Sequence, residues 1–141
     1  VDVYDPRFIP IHFTTNEFFS LAKSRLSAKG ILLMNVIGTQ EAKRNTFLLS
    51  EIKTFRSVFP AGYVFSASPP QAKGLQNFIF LGLKDNSKEI DFTSKEILLS
   101  ERQLIRDLPL KLLNPDTLEF DSALLLTDDF SPVEYLVAKF L

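Results

Sequence analysis

An apolar run broken only by Asn35, Ile31-Leu32-Leu33-Met34-Asn35-Val36, lies between two stretches of helical periodicity, and no other feature constrains the fold as much. A run without polar–apolar alternation suits a parallel strand covered on both faces. Before it, Thr14-Thr15-Asn16-Glu17 reads as a capping box, opening a helix with apolar positions at Phe18, Leu21, Ala22 and Leu26. Gly30 follows as a left-handed cap that closes that helix. After the run, a polar stretch (38–45) leads to a second helix on Phe47, Leu48, Ile52, Phe55 and Phe59, which Pro60-Ala61-Gly62 ends. Tyr63-Val64-Phe65 and Phe78-Ile79-Phe80-Leu81-Gly82-Leu83 read as two further strands. The connection between them is too short for a helical crossover, so their pairing is expected to be antiparallel.

Val1-Asp2-Val3-Tyr4 reads as the end of a strand that precedes all of these, stopped by Asp5-Pro6. Because the chain opens on Val1 and its only Met is Met34, it is expected to be part of a longer protein. Alternation of strands and helices predicts an α/β domain: a mostly parallel sheet with one antiparallel strand and helices on both faces, amounting to half of a doubly wound sheet. With 141 residues the chain is read as a single domain, with sheet and helices over 1–84 and a helical tail over 85–141. In the tail, Thr93 and Glu96 are expected to cap a helix carrying Ile97, Leu98, Leu104 and Ile105, with a loop between Pro109 and Pro115. Ser131, Pro132 and Glu134 mark the start of a last helix with apolar positions Val133, Leu136, Val137 and Phe140.

Composition removes several classes of function. There is no Cys and only one His, His12, which excludes zinc fingers, thiol catalysis and any triad not built on that imidazole; no metal is expected. With 16 basic and 17 acidic residues the net charge is −1, which argues against phosphate-driven nucleic-acid binding. No apolar run has the length of a membrane span. Absence of Cys is compatible with the cytoplasm, the expected location. No G-x-G-x-x-G, P-loop or nucleophile elbow occurs.

Ligands of doubly wound sheets bind outside the carboxyl ends of the strands. Asp2 and Asp5 lie at and just past such an end, where two carboxylates can hold an amine and take its proton as it becomes a nucleophile. The competing reading is a solvated strand end and an Asp-Pro turn. For Asp128-Asp129 the favoured role is charge at a helix start, and for His12 a loop hydrogen bond. Asn35 either points to the cleft or satisfies a backbone group, and residues 84–91 read as a solvated connection.

These residues resemble a family. Asp2-Val3-Tyr4-Asp5-Pro6 followed by Phe13-Thr14-Thr15-Asn16-Glu17-Phe18-Phe19 is similar to the D-x-x-D-P … T-x-E-F-F segment of spermidine synthases. Leu26-Ser27-Ala28-Lys29-Gly30-Ile31-Leu32 resembles their L-x-P-G-G-I-L. Leu126-Thr127-Asp128-Asp129-Phe130-Ser131-Pro132-Val133-Glu134 resembles the L-T-D-D-x-x-P-V-E tail of bacterial spermidine synthase-like proteins. The resemblance implies the carboxyl-terminal half of a Rossmann-like, class I methyltransferase-like domain. It further implies transfer of an aminopropyl group from decarboxylated S-adenosylmethionine to an amine such as putrescine, with Asp2 as the base and Asp5 holding the amine. Three departures accompany it. The cofactor-binding half would precede Val1, so this chain alone is expected to be inactive. Asp2-Val3-Tyr4-Asp5 stands where D-S-S-D is usual, and the aromatic, Gly-rich diamine stretch is not evident over 66–77. The rival functions are an S-adenosylmethionine-dependent methyltransferase and a non-catalytic polyamine- or partner-binding domain. A half sheet with an open edge is also expected to self-associate, as a homo-oligomer.

Overall fold

The computed structural model describes residues 10–42, 44–69 and 72–138. After a 3₁₀ turn at Ile11–Phe13, helix α1 spans Asn16–Arg25, strand β1 Ile31–Gly38, helix α2 Thr46–Val58, strand β2 Tyr63–Ser66 and strand β3 Gln76–Leu83. Four short helices follow: α3 (Lys95–Leu98), α4 (Gln103–Arg106), α5 (Leu108–Lys111) and α6 (Val133–Val137), with a 3₁₀ turn at Pro115–Thr117. The expected opening strand, Val1–Tyr4, lies outside the described residues.

The three strands form one sheet in the order β1-β3-β2, and both neighbouring pairs are antiparallel. The expected mostly parallel sheet is therefore not what the described residues show. Its cause is topological: β1 and β2, linked through α2, run in the same direction, and β3 returns as a hairpin partner of β2 and inserts between them. The expected single antiparallel strand is β3. In β1 the anticipated two-sided burial also gives way to alternation, with Leu32, Met34 and Val36 buried against α2 and Ile31 and Leu33 about half exposed. Ile31, Leu33 and Ile37 on the less buried face, beside Leu32, Met34 and Val36 on the other, concealed that alternation in the sequence.

Helix α2 organises the core. Phe47, Leu48, Ile52, Phe55 and Phe59, the apolar face read from the sequence, are all buried. Phe55 lies at the centre of an aromatic cluster, 5.5 Å from Phe19, 5.1 Å from Phe59 and 5.1 Å from Phe80 between ring centroids. Such tilted and edge-on contacts add about 0.5–1.5 kcal/mol each beyond burial. At Gly82 of β3 the Phe59 ring lies so close that a Cβ would come within 2.6 Å of it. Helix α1 buries Phe19 completely, while Leu21, an expected core position, is 56% exposed. The stripe is rotated because α1 packs on α2 along a narrow face centred on Phe19, which leaves Leu21 outside the core.

Several cap assignments differ from expectation. Thr15, not Thr14, caps α1, its Oγ1 accepting from the Phe18 N–H at 3.2 Å. Thr14 is buried and instead donates to the Ile11 carbonyl (2.7 Å) and meets Ser131 Oγ (3.1 Å). Ser131 is therefore engaged away from α6, and Pro132 flanks that helix. Glu17 reaches the Asp128 N–H at 3.0 Å rather than its own helix start. Gly30 has no positive φ, and α1 ends at Leu26. The carbonyls at the ends of α1 and α2 are met by lysines: Lys84 Nζ donates to Lys23 O (2.7 Å), and Lys23 Nζ to Val58 O (2.6 Å). Burial, and next the neighbouring Lys84, hold the Lys23 amine below its ordinary range.

The tail is less helical than its periodicity suggests. The single helix expected over 93–105 is broken into α3 and α4, since Thr93 bonds Asp91 rather than capping, and Pro109 falls inside the first turn of α5. The tail then crosses back over α2. There Thr54 Oγ1 accepts from the Leu126 N–H (2.9 Å) and donates to Ser50 O, Ser50 Oγ accepts from Leu124 N, and Lys53 Nζ donates to Ala123 O. Replacing Thr54 by Val strands the Leu126 amide in a fully buried position. Urea unfolding is expected to show a loss of about 1–3 kcal/mol; unchanged stability would contradict this docking role.

Glu51, also on α2, is fully buried, and neither carboxylate oxygen has a hydrogen-bond partner. Desolvation pushes its carboxyl well above the ordinary range. A raised native pKa means the folded chain holds a proton that the unfolded chain releases. Stability should thus be greatest below the ordinary carboxylate range and fall as pH rises from there to the raised native value. In thermal unfolding, Glu51→Gln is expected to raise the Tm at pH 8 and leave it nearly unchanged at pH 4; equal effects at both would rule this origin out.

Candidate functional site

Strands β1 and β2 end at the same edge of the sheet, where β3 begins, because Gly38 pairs with Gln76 and Ser66 with Phe78. That edge collects the carboxyl ends of the two co-directional strands, the place where open α/β sheets bind ligands. Beside it lie the described parts of two connections, 39–42 and 44–45 between β1 and α2, and 67–69 and 72–75 between β2 and β3. They are tied together and to the sheet. Glu41 Oε1 accepts from the Gly74 N–H (2.7 Å), Gln76 Oε1 from Ser68 N (3.1 Å) and Asn77 O from Ala67 N (2.9 Å). Gly74 sits at φ +87°, a conformation that favours glycine, and so presents its amide to Glu41. The Glu41 carboxylate also faces Arg44 at 3.5 Å, and its own N–H is held by Thr39 Oγ1.

Within this cross-braced edge two amide groups are incompletely used. Nε2 of Gln40 and Nε2 of Gln76 are buried and have no acceptor. Gln76 is only 9% exposed and shares the α2-facing side of β3 with Phe78 and Phe80. Gly38 opposite it leaves room for α2: a Cβ there would stand 3.2 Å from Leu48 Cβ, in the first turn of the helix. No acidic side chain occupies that first turn, and Asn45 makes no capping bond with its side chain.

The residues singled out from sequence distribute unevenly. Asp2 and Asp5 lie outside the described residues. Their chain continues at Pro10 into the 3₁₀ turn and the buried Thr14, which joins it to the tail at Ser131. Asp128 and Asp129 are exposed in a turn closed by Thr127 and Phe130, and cap nothing with their carboxylates; the Asp128 amide is what Glu17 holds. His12 is exposed in the 3₁₀ turn. Among the described residues no group of three or more His, Cys, Asp or Glu is placed to hold a metal ion. Asn35 lies opposite Ile79 on the sheet face away from α2. The connection read as solvated is locally ordered: Ser87 binds the Asp85 carboxylate and Thr93 that of Asp91, the side-chain hydroxyl in each case doing most to hold the acid below its ordinary range.

Sequence reading passed over Thr39, Gln40, Glu41 and Gln76. The available signal was an abrupt change, from a strand apolar except for Asn35 to the polar Thr39-Gln40-Glu41 directly after Gly38.

No family model matches the chain. Among curated proteins it is similar to a polyamine aminopropyltransferase of Vibrio vulnificus (strain CMCP6), with 31% identity over a 143-residue alignment that covers 96% of this chain and 44% of the relative. Among solved structures it shares its fold with a probable spermidine synthase from Corynebacterium glutamicum ATCC 13032, with a TM-score of 0.62 and 23% identity over 89% of this chain and 44% of the other. The chain thus spans less than half the length of either. Among the described residues no helix is long and apolar enough to cross a membrane. In sequence the chain is homologous to the carboxyl-terminal part of a polyamine aminopropyltransferase.

Proposed function

We propose that this chain is the acceptor-amine side of an aminopropyltransferase. It would act with decarboxylated S-adenosylmethionine as co-substrate, bound mainly by polypeptide outside this chain. The observation that carries the reading is the sequence segment Asp2-Val3-Tyr4-Asp5-Pro6, in a chain 31% identical over 96% of its length to a polyamine aminopropyltransferase. The collection of β1 and β2 carboxyl ends at one edge of the sheet supports it, because a preceding strand running alongside would deliver both aspartates there.

In this mechanism an ammonium group is held between Asp5 and Asp2, and Asp2 takes its proton as the nitrogen attacks. The new bond joins that nitrogen to the methylene carbon beside the sulfonium. The carbon–sulfur bond breaks, and sulfur leaves with the electron pair as a neutral thioether. Sulfonium is a good leaving group, so the protein's part is to remove the proton and align the nitrogen.

Asp2→Asn in the full-length gene product is expected to lower turnover by about 10²–10⁴-fold, with product followed by mass spectrometry. Wild-type turnover in that variant would remove Asp2 from the reaction. Offering the wild-type protein S-adenosylmethionine in parallel separates this reading from methyl transfer: methylated rather than aminopropylated amine would replace it.

We further propose self-association of this chain, supported by Leu99, Leu104 and Leu110 on the tail, which are 71–75% exposed. Light scattering is expected to show dimers or larger species, and a monomer across the whole accessible concentration range would refute this.

A further inference from the structure

Resting on that reading, we infer that Glu41 is a positioning residue for the acceptor amine: its bond to the Gly74 N–H sets where the connection from β2 to β3 stands beside the strand ends. That edge of the sheet is where open α/β folds take their ligands, so the placing of the connection decides how an amine is received there.

The connection is held differently at its two ends. Where it leaves β2, its bonds come from β3 and from the tail. The Ala67 N–H donates to Asn77 O at 2.9 Å, the Ser68 N–H to Gln76 Oε1 at 3.1 Å, and Lys111 Nζ to Ala67 O at 3.1 Å. Over 72–75, where it returns, the Ala72 N–H bonds back to Pro69 O within the connection itself. Among the described residues, the 2.7 Å bond from the Gly74 N–H to Glu41 Oε1 is what ties this returning stretch to another element. Packing offers no substitute: Lys73 and Leu75 are exposed, and a Cβ at Gly74 would meet no atom within 4 Å.

Glu41 is itself fixed on the β1 side. Its N–H donates to Oγ1 of the buried Thr39 at 3.2 Å, and its carbonyl accepts from the Arg44 N–H at 2.7 Å. With Oε1 on Gly74 and Oε2 facing Arg44, the carboxylate acts on the amine through the connection and not by direct contact. A bond to an ionised acceptor is roughly twice as strong as one between neutral groups. Without it the returning stretch is free to spread over other conformations, and binding must then re-order it. Such a cost falls on amine binding and not on the chemical step.

The test is steady-state kinetics of the full-length gene product with putrescine, at saturating decarboxylated S-adenosylmethionine. Glu41→Ala is expected to raise KM for putrescine about tenfold and to leave kcat within about twofold. Glu41→Gln keeps an oxygen for the Gly74 N–H and should return KM to within about threefold of the wild type. Gly74→Ala leaves Glu41 intact but disfavours the φ of +87° that presents the amide, and should raise KM in the same direction. It decides the matter if Glu41→Ala does not fold. An unchanged KM in the alanine variants overturns the inference, as does a fall in kcat alone or a Gln variant as impaired as Ala; each leaves the aminopropyltransfer reading in place. Wild-type protein that forms no aminopropylated amine overturns the inference and the reading together.

Discussion

Helix α2 is buried on more than one side, and the rest of the structure depends on how it uses each. Toward the sheet it offers Leu48, Ile52, Phe55 and Phe59, whose rings and branched chains fill the space above Met34, Val36, Phe78 and Phe80. Toward the tail it offers Ser50, Lys53 and Thr54, which bond the backbone of 123–126. An extended segment has no partners of its own for its amides and carbonyls, and it can be buried only where something else supplies them. Two hydroxyls and an ammonium group on successive turns do so here. The tail is thereby fixed across α2 and delivered to the start of α1, where the Asn16 amide bonds Leu126 O and Glu17 receives the Asp128 amide.

That arrangement joins the segment before α1 to the tail. Thr14 and Ser131, 117 residues apart, share a hydrogen bond. The described segment from Pro10 is thus anchored, through the 3₁₀ turn and Thr14, to the tail rather than only to its own helix. The L-T-D-D segment takes its place in the fold as a brace at this junction. Its exposed aspartates are incidental to that brace, since the backbone amide and the Ser131 hydroxyl make the contacts.

At the other end of β1 the constraint is hydrogen bonding rather than packing. The two connections over the strand ends contain Gly74 and few apolar residues, and are held by side-chain bonds to backbone amides. A loop ordered in this way keeps polar groups beneath it with little surrounding hydrocarbon, and the unused amide donors of Gln40 and Gln76 are a result. Rigid scaffold below and polar loops above is the usual construction of a binding edge.

The apolar face of α2, the three described strands, the antiparallel hairpin of β2 and β3 and the family were legible in the sequence, because each rests on local pattern: period 3.6, apolar runs, a short connection, ordered motifs. The strand order was not, because nothing local says that β3 inserts between β1 and β2; that follows from how a hairpin and a crossover share one sheet. Nor were the caps. Thr14, Ser131 and Glu17 have the right chemistry to cap their own helices, but the fold brings them partners more than 100 residues away, and those contacts win. For the candidate site, the sequence by itself singled out the aspartate pair Asp2 and Asp5, with a strand end as the expected setting. Only the tertiary structure decided that Gly38 and Gln76, 38 positions apart, meet beside the start of α2. Pairing register and helix packing, which set that meeting, are properties of the assembled sheet and not of any segment within it.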